Sequence, residues 1–263
     1  MQLTRRPSYL PQDLPPEAIP QGLLHEEEFW HINPQLVLKE DSANYFLETQ
    51  RYTERYLRGL LKKAGCNPDI ENKGRLTGHN TRVAILSLLI ADGMEDQEMD
   101  FPVDKSILAP AALWHDVGKF DQQVHDSIFP SSRKLAKDDP ARKIIATHPR
   151  IGAEIIMDTR YRIRERISDA IHCHHERYDG KGYYQVPNPE IPNEAWVIGV
   201  ADPTDVMLGT RGYAPQKKLE DVLTDLAINS GSQFHPAVAD SAIRTFAGKE
   251  SPIKHIRNYN HSY

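Results

Sequence analysis

Residues able to hold a metal ion or move a proton recur along this chain as a spaced series: His79, His115 with Asp116, His148, His174 with His175, and Asp202. Successive members lie about thirty residues apart, roughly one helix pair each, so a helical bundle can return all of them to a common centre. Neighbours on a helix diverge by about 100°, which suits His174 and His175 to two ions side by side better than to one. Asp116 can offer one carboxylate oxygen to each ion. Imidazole and carboxylate donors favour Fe or Mn, with Zn, Co or Ni also compatible, over Mg. Only two cysteines are present, Cys66 and Cys173, too few for a thiolate cluster. Two divalent ions outweigh two ligand carboxylates, so the centre is expected to be locally cationic and to attract a phosphate.

The elements that must position these residues read as helices. From Ser42, a candidate N-cap, apolar residues Tyr45, Phe46, Leu47, Tyr52, Tyr56, Leu57, Leu60 and Leu61 recur at helical spacing as far as Gly65. Further helices are expected over 76–91, 105–117, 141–147, 149–158, 163–176, 193–208, 216–229 and 236–247, with no alternating strand between them. The turn-rich stretch 121–140 and the Asp179-Gly180-Lys181-Gly182 segment are the loops expected to carry function, the latter as a candidate phosphate cradle. Six prolines, Pro7, Pro11, Pro15, Pro16, Pro20 and Pro34, make the first forty residues an accessory arm rather than a long helix. The fold class is therefore all-α, divided into an arm (1–40), an accessory helical segment (41–75), the site-bearing domain (76–250) and a tail (251–263).

Composition excludes several functions. The 263 residues carry a formal charge of -5 with 26% charged residues, so a general nucleic-acid coat is not expected. The longest apolar stretch, Val83 to Ala91, is about half of the roughly 20 residues that cross a bilayer, and no apolar run follows the first arginines, so neither membrane insertion nor secretion is expected. The low cysteine content suits a reducing cytoplasm. Of the 12 histidines, His25, His31, His255 and His261 read as surface residues of the arm and tail, and His125 and His172 as packing rather than ligation. Cys173 reads as a small buried residue, and Trp30, Trp114 and Trp196 as core.

The ligand residues sit in ordered blocks: Gly78-His79-Asn80-Thr81-Arg82-Val83-Ala84, Trp114-His115-Asp116-Val117-Gly118-Lys119 and Thr147-His148-Pro149-Arg150-Ile151-Gly152. In sequence and order these resemble an HD-domain phosphohydrolase. The later blocks resemble the HD-GYP subfamily: His174-His175-Glu176-Arg177-Tyr178-Asp179-Gly180-Lys181-Gly182-Tyr183, Val200-Ala201-Asp202-Pro203-Thr204-Asp205, and Gly231-Ser232-Gln233-Phe234-His235-Pro236. The resemblance spans Leu76 to Phe246. It implies a helical bundle around a dinuclear centre held by His79, His115, Asp116, His148, His174, His175 and Asp202. The activity it implies is hydrolysis of cyclic di-GMP by attack of a metal-bridging hydroxide in line with the leaving ribose oxygen.

On this resemblance Lys119, one helical turn after His115, is expected to act with Asp116 at the reacting phosphate. Asp205, one turn after Asp202, is expected to orient a ligand histidine. Arg150 and the loop Asp179, Gly180, Lys181, Gly182 and Tyr183 are candidate substrate contacts. Arg75 is another, at the position where some members carry a glutamate for a third ion; a guanidinium cannot ligate, so two ions are expected. Several positions depart from the pattern. Tyr184 follows Gly182-Tyr183 where the subfamily has proline, the segment 120–126 lacks the expected apolar, proline-containing piece, 206–213 lacks its usual proline, and His235 replaces an aspartate before Pro236. Two other functions fit: hydrolysis of another nucleotide or phosphate ester, favoured by Tyr184, and a silent nucleotide-binding or scaffold module, disfavoured by the complete ligand set. The expected partner is a small nucleotide. Oligomeric state is left open.

Overall fold

The computed structural model describes residues 34–69, 73–128, 136, 138–209 and 217–247. The arm as far as Asn33, the tail from 251 and the side chain of Arg75 lie outside the described residues, and with them His25, Trp30, His31, His255 and His261. All regular structure among the described residues is helical apart from one isolated bridge between Ser230 and Phe234. A single turn, α1 (Pro34–Val37), precedes the long helix α2 (Glu40–Lys63). Next come α3 (Lys73–Asp96), α4 (Lys105–Trp114), a 3-10 turn (Val117–Phe120), α5 (Gln122–Ile128) and α6 (Ala141–Ile145). The chain then forms α7 (His148–Met157), α8 (Arg164–Cys173), a second 3-10 turn (Asn188–Glu190), α9 (Asn193–Leu208), α10 (Leu219–Asn229) and α11 (Pro236–Ala247).

The middle of the bundle is α3. Its run Val83 to Ala91 is buried on every side, as is Ile107 to Trp114 of α4, because α3 packs against α4, α9 and α11 while α8 covers α4. No helix among the described residues is long and apolar enough to cross a membrane. The helix α2 shares the same hydrophobic core through Phe46, Tyr52 and Leu61. Burying such side chains stabilises by about 1.5–3 kcal/mol each. Trp114 Nε1 donates to Thr53 Oγ1 at 2.7 Å, and the Tyr52 ring lies 4.4 Å from that of Tyr161.

A buried ion cluster completes this docking. Lys105, 5% exposed, reaches Asp92 and Glu95 at 2.8 Å and Asp41 at 3.1 Å. Ser42 is not the N-cap of α2. The helix begins at Glu40, and the Ser42 hydroxyl donates instead to Asp92 at 2.5 Å, so a long-range partner outcompetes the local cap. Along the stretch expected to be loop, 122–128 forms α5, with Asp121 Oδ1 accepting the Val124 N–H. At the other end of the chain His235 takes the capping position its aspartate would fill: its Nδ1 accepts the Ala237 N–H at 3.2 Å, with the rings of Phe101, Tyr178 and Trp196 around it.

Candidate metal centre

Three of the candidate ligand histidines stand where helices end or begin: His115 just after α4, His148 at the start of α7 and His174 just after α8. The sequence pattern carries the helices on to Val117, Thr147 and Glu176, but they stop at Trp114, Ile145 and Cys173. Carbonyls of a last helical turn lack an intrahelical donor. Each histidine supplies one by donating Nδ1–H to the carbonyl three residues back, at Ala112 (2.7 Å), Ile145 (2.7 Å) and Ile171 (2.6 Å). Satisfying those carbonyls also fixes the ring tautomer and turns each Nε2 lone pair inward.

The fourth ring is held across the bundle. His79 of α3 donates Nδ1–H to Asp205 of α9 at 2.8 Å, and Arg82, one turn later, grips both oxygens of Asp205 at 2.6 and 3.0 Å. The pair His79 and Arg82 thus faces the pair Asp202 and Asp205, both at one-turn spacing. The sequence reading found Asp205 but not Arg82, whose role shows only when α3 meets α9.

These constraints produce two adjoining groups of donor atoms among the described residues: Asp116, His148, His174 and His175, and His79, His115 and Asp202. Within each group the atoms lie within 4.8 Å of one another. Asp116 joins them. Its Oδ1 is 3.1 Å from His148 Nε2, while its Oδ2 is 3.5 Å from His115 Nε2 and 3.6 Å from His79 Nε2. His148 Nε2 and His174 Nε2 face each other at 3.3 Å, and since both rings use Nδ1–H on a carbonyl, two lone pairs meet there with no proton between them. His115 Nε2 and Asp116 Oδ1 are buried without a hydrogen-bond partner. Facing lone pairs and orphaned buried acceptors are the arrangement a divalent cation resolves, so the residues fit a metal pair.

Electrostatics agree for the first of these groups. Burial, reinforced by neighbouring imidazoles, pushes His174 far down and His175 to about 3, so both stay neutral and ready to ligate. Burial opposes charge on His79 as well, but hydrogen bonds to Asp202 and Asp205 overcome it and raise that ring to about 9. Burial would raise Asp116, yet the Lys119 ammonium and His115 hold its carboxyl well below the usual range. Lys119 sits on the 3-10 turn rather than one α-helical turn beyond His115, because α4 has already ended; from there its ammonium bonds Asp116 Oδ2 directly.

The close approach of that turn to α7 depends on Gly118. A Cβ there would lie 2.0 Å from the His148 carbonyl oxygen, so Asp116 and His148 can face each other only with glycine at 118. Gly118→Ala is expected to lose about 1–3 kcal/mol of stability, as overpacked cores do, and to bind metal more weakly. Denaturant unfolding and a metal titration check this; wild-type values in both would show that the turn can move aside.

The loop after α8 is brought to the centre unevenly. Tyr183 lies over His175 with ring centroids 4.7 Å apart, and burial beside Asp202 and Asp116 raises its hydroxyl to about 12. Gly180 has φ +72, which the turn requires. The Asp179 carboxylate is bonded by Arg177, at 3.0 and 2.8 Å. Lys181 projects into solvent, and Arg150 pairs with Glu154 on the exposed face of α7. His125 and His172 lie outside both donor groups; His172 stacks on Tyr184. Cys173 is buried, its thiol pushed up to about 12 by burial and the Glu176 charge.

The HD domain family model matches residues 76–207, half of the 263-residue chain. Among curated proteins, the cyclic di-GMP phosphodiesterase response regulator RpfG of Xanthomonas campestris is 31% identical over 62% of this chain and 41% of its own length. The cyclic di-GMP phosphodiesterase of Thermotoga maritima is 30% identical over 63% of this chain and 43% of its own. The 3'3'-cGAMP-specific phosphodiesterase 2 of Vibrio cholerae is 29% identical over 65% of this chain and 32% of its own. The chain thus spans less than half the length of these relatives. Among solved structures, the HDG"Y"P protein Bd1817 of Bdellovibrio bacteriovorus shares the fold, with a TM-score of 0.52 at 18% identity over 83% of this chain and 69% of that one. Every residue of the two donor groups, with Lys119 and Asp205, falls inside the matched segment, and the chain belongs to the HD domain family.

Proposed function

We propose that this chain is a metal-dependent phosphodiesterase that hydrolyses a cyclic dinucleotide, cyclic di-GMP first among them. The observation that carries the reading is Asp116, which presents one oxygen to each of two donor groups and holds Lys119 beside them. His148, His174, His175 and Asp116 Oδ1 would hold one ion; His79, His115, Asp202 and Asp116 Oδ2 would hold the other. Fe or Mn suits this donor set, with Zn, Co or Ni as alternatives. Two such ions supply Lewis acidity and an acidified water for attack on phosphorus.

The chain's own residues do the rest. Lys119, 19% exposed, stands at the mouth of the centre, where its ammonium can leave Asp116 for a phosphoryl oxygen as charge builds there. Asp205, locked by Arg82, keeps His79 from turning away. Tyr183, 45% exposed over His175, offers an aromatic face to a nucleotide base. We assign the reaction to residues 76–250, with α2 as its structural support and 1–40 as accessory.

The test is a product assay with metal-loaded protein on cyclic di-GMP, 3'3'-cGAMP, linear dinucleotides and simple phosphate monoesters, beside elemental analysis. Cleavage of a cyclic dinucleotide with close to two ions per chain is expected. Binding of a cyclic dinucleotide without cleavage would make the chain a receptor module, and turnover confined to other phosphate esters would move the substrate. Three well-occupied ions per chain would overturn the two-ion assignment, including the inference from Arg75.

A further inference from the structure

The residue that departs from the subfamily tripeptide, Tyr184, is held through both its backbone and its side chain. Its backbone N–H donates to Glu176 Oε1 at 2.7 Å, and the other carboxylate oxygen accepts Val186 N–H at 3.2 Å. Glu176 is itself 5% exposed, directly after the ligand pair. The loop passes so close above it that a Cβ on Gly182 would lie 2.3 Å from Glu176 Oε2. From this anchor the Tyr184 ring stacks on His172 of α8, with centroids 4.2 Å apart and planes at 14°.

The hydroxyl reaches farther. It donates to the Ala146 carbonyl at 2.8 Å and faces the backbone N–H of Arg150. Those two groups flank the corner between α6 and α7, and α7 opens with His148. No side chain caps α7 from its own N-cap residue, Thr147, so the phenol of Tyr184 stands in for that cap across the loop. Its neighbour Tyr183 is held over His175 at the same time. His175 differs from the other candidate ring ligands: among the described residues it makes only ring contacts, to Tyr183, His148 and His174, and no Nδ1–H bond to a carbonyl or carboxylate.

We propose that Tyr184 is a positioning residue of the metal centre. Its phenol pins the corner that aims His148 and its backbone sets Tyr183 against His175, replacing ring rigidity at a proline with a hydrogen-bonded clamp. The idea rests on the two-ion reading given above, but its test needs no substrate. Partners that orient a metal ligand typically change metal affinity by about 10- to 100-fold when removed.

Tyr184→Phe in the full chain deletes one oxygen and keeps the stack on His172. A Mn²⁺ titration of this variant is expected to show two steps. The ion held by His148, His174 and His175 should bind roughly tenfold more weakly, with the other ion unchanged. The metal-free protein should melt at most a few degrees lower, as loss of one hydrogen bond implies, whereas a residue serving only stability would not single out one ion. Wild-type affinity at both ions in a folded Tyr184→Phe protein would overturn the proposal, as would equal weakening at both. Should that variant fail to fold, Glu176→Gln carries the test, because its amide nitrogen cannot accept a backbone N–H and so loosens the anchor that sets Tyr183 against His175. Weakening at the same ion supports the proposal, and unchanged binding sinks it. If the wild-type protein takes up no second ion, it is the two-ion reading that fails, and the titration reports that separately.

Discussion

Asp116→Ala is expected to bring phosphodiester hydrolysis to background and to strip the protein of most of its metal. No other described residue faces both donor groups, and its two oxygens lie 3.1 to 3.6 Å from His148, His115 and His79. A water cannot replace it, since the carboxylate contributes charge to both positions and water contributes none. Without it, two divalent ions would share a buried pocket with Asp202 as their only anionic ligand, and the Lys119 ammonium would add repulsion. The metal-free variant should be less stable than wild type, because removing Asp116 leaves the Lys119 ammonium without its buried partner, so each protein is compared with its own metal-free state. Three measurements separate the outcomes: elemental analysis, turnover, and the rise in melting temperature on adding Mn²⁺, which follows the metal bound to the native state. Wild type should be stabilised by the ion and Asp116→Ala should not. A variant that keeps two ions and near-normal turnover would end the assignment of Asp116 as the bridge.

The two donor groups could be read from the chain because the physics that places them is largely local. His115, His148 and His174 each fall at a helix terminus where an unpaired carbonyl three residues back waits for a donor, so residue type and spacing alone mark them. The same feature misleads about helix ends. Apolar periodicity runs on through Val117, Thr147 and Glu176, but the backbone leaves the helix once the histidines take those carbonyls. What depends on distant segments meeting was not legible. Ser42 has the side chain of an N-cap and becomes a partner of Asp92, 50 residues away. Arg82 looks like one more exposed cation of a helix until α9 presents Asp205 to it. Tyr184 reads as the loss of a proline, and only the fold reveals its bond to Ala146, 38 residues earlier. The loop also ties itself together locally: Arg177 bonds both oxygens of Asp179, two residues after it.

Lys119→Ala should cost rate without costing metal. The ammonium bonds Asp116 Oδ2, so it touches the proposed bridge but cannot itself ligate while protonated. With two ions in place, Asp116 has its counter-charges from them and no longer needs Lys119, which frees the ammonium for the phosphoryl oxygens. A donor of this kind acts where charge develops in the transition state, and removing one typically lowers kcat by about 100- to 1000-fold. The substitution is therefore expected to lower kcat by roughly a hundredfold or more, with KM changed far less and the metal content held near two ions per chain. Lys119→Arg should recover only part of the loss, because the planar guanidinium is bulkier than the ammonium and its donors are spread in a fixed fork. A parallel loss of metal would place Lys119 among the structural supports of Asp116. A rise in KM with kcat intact would make it a ground-state phosphate contact, with no preference for the transition state.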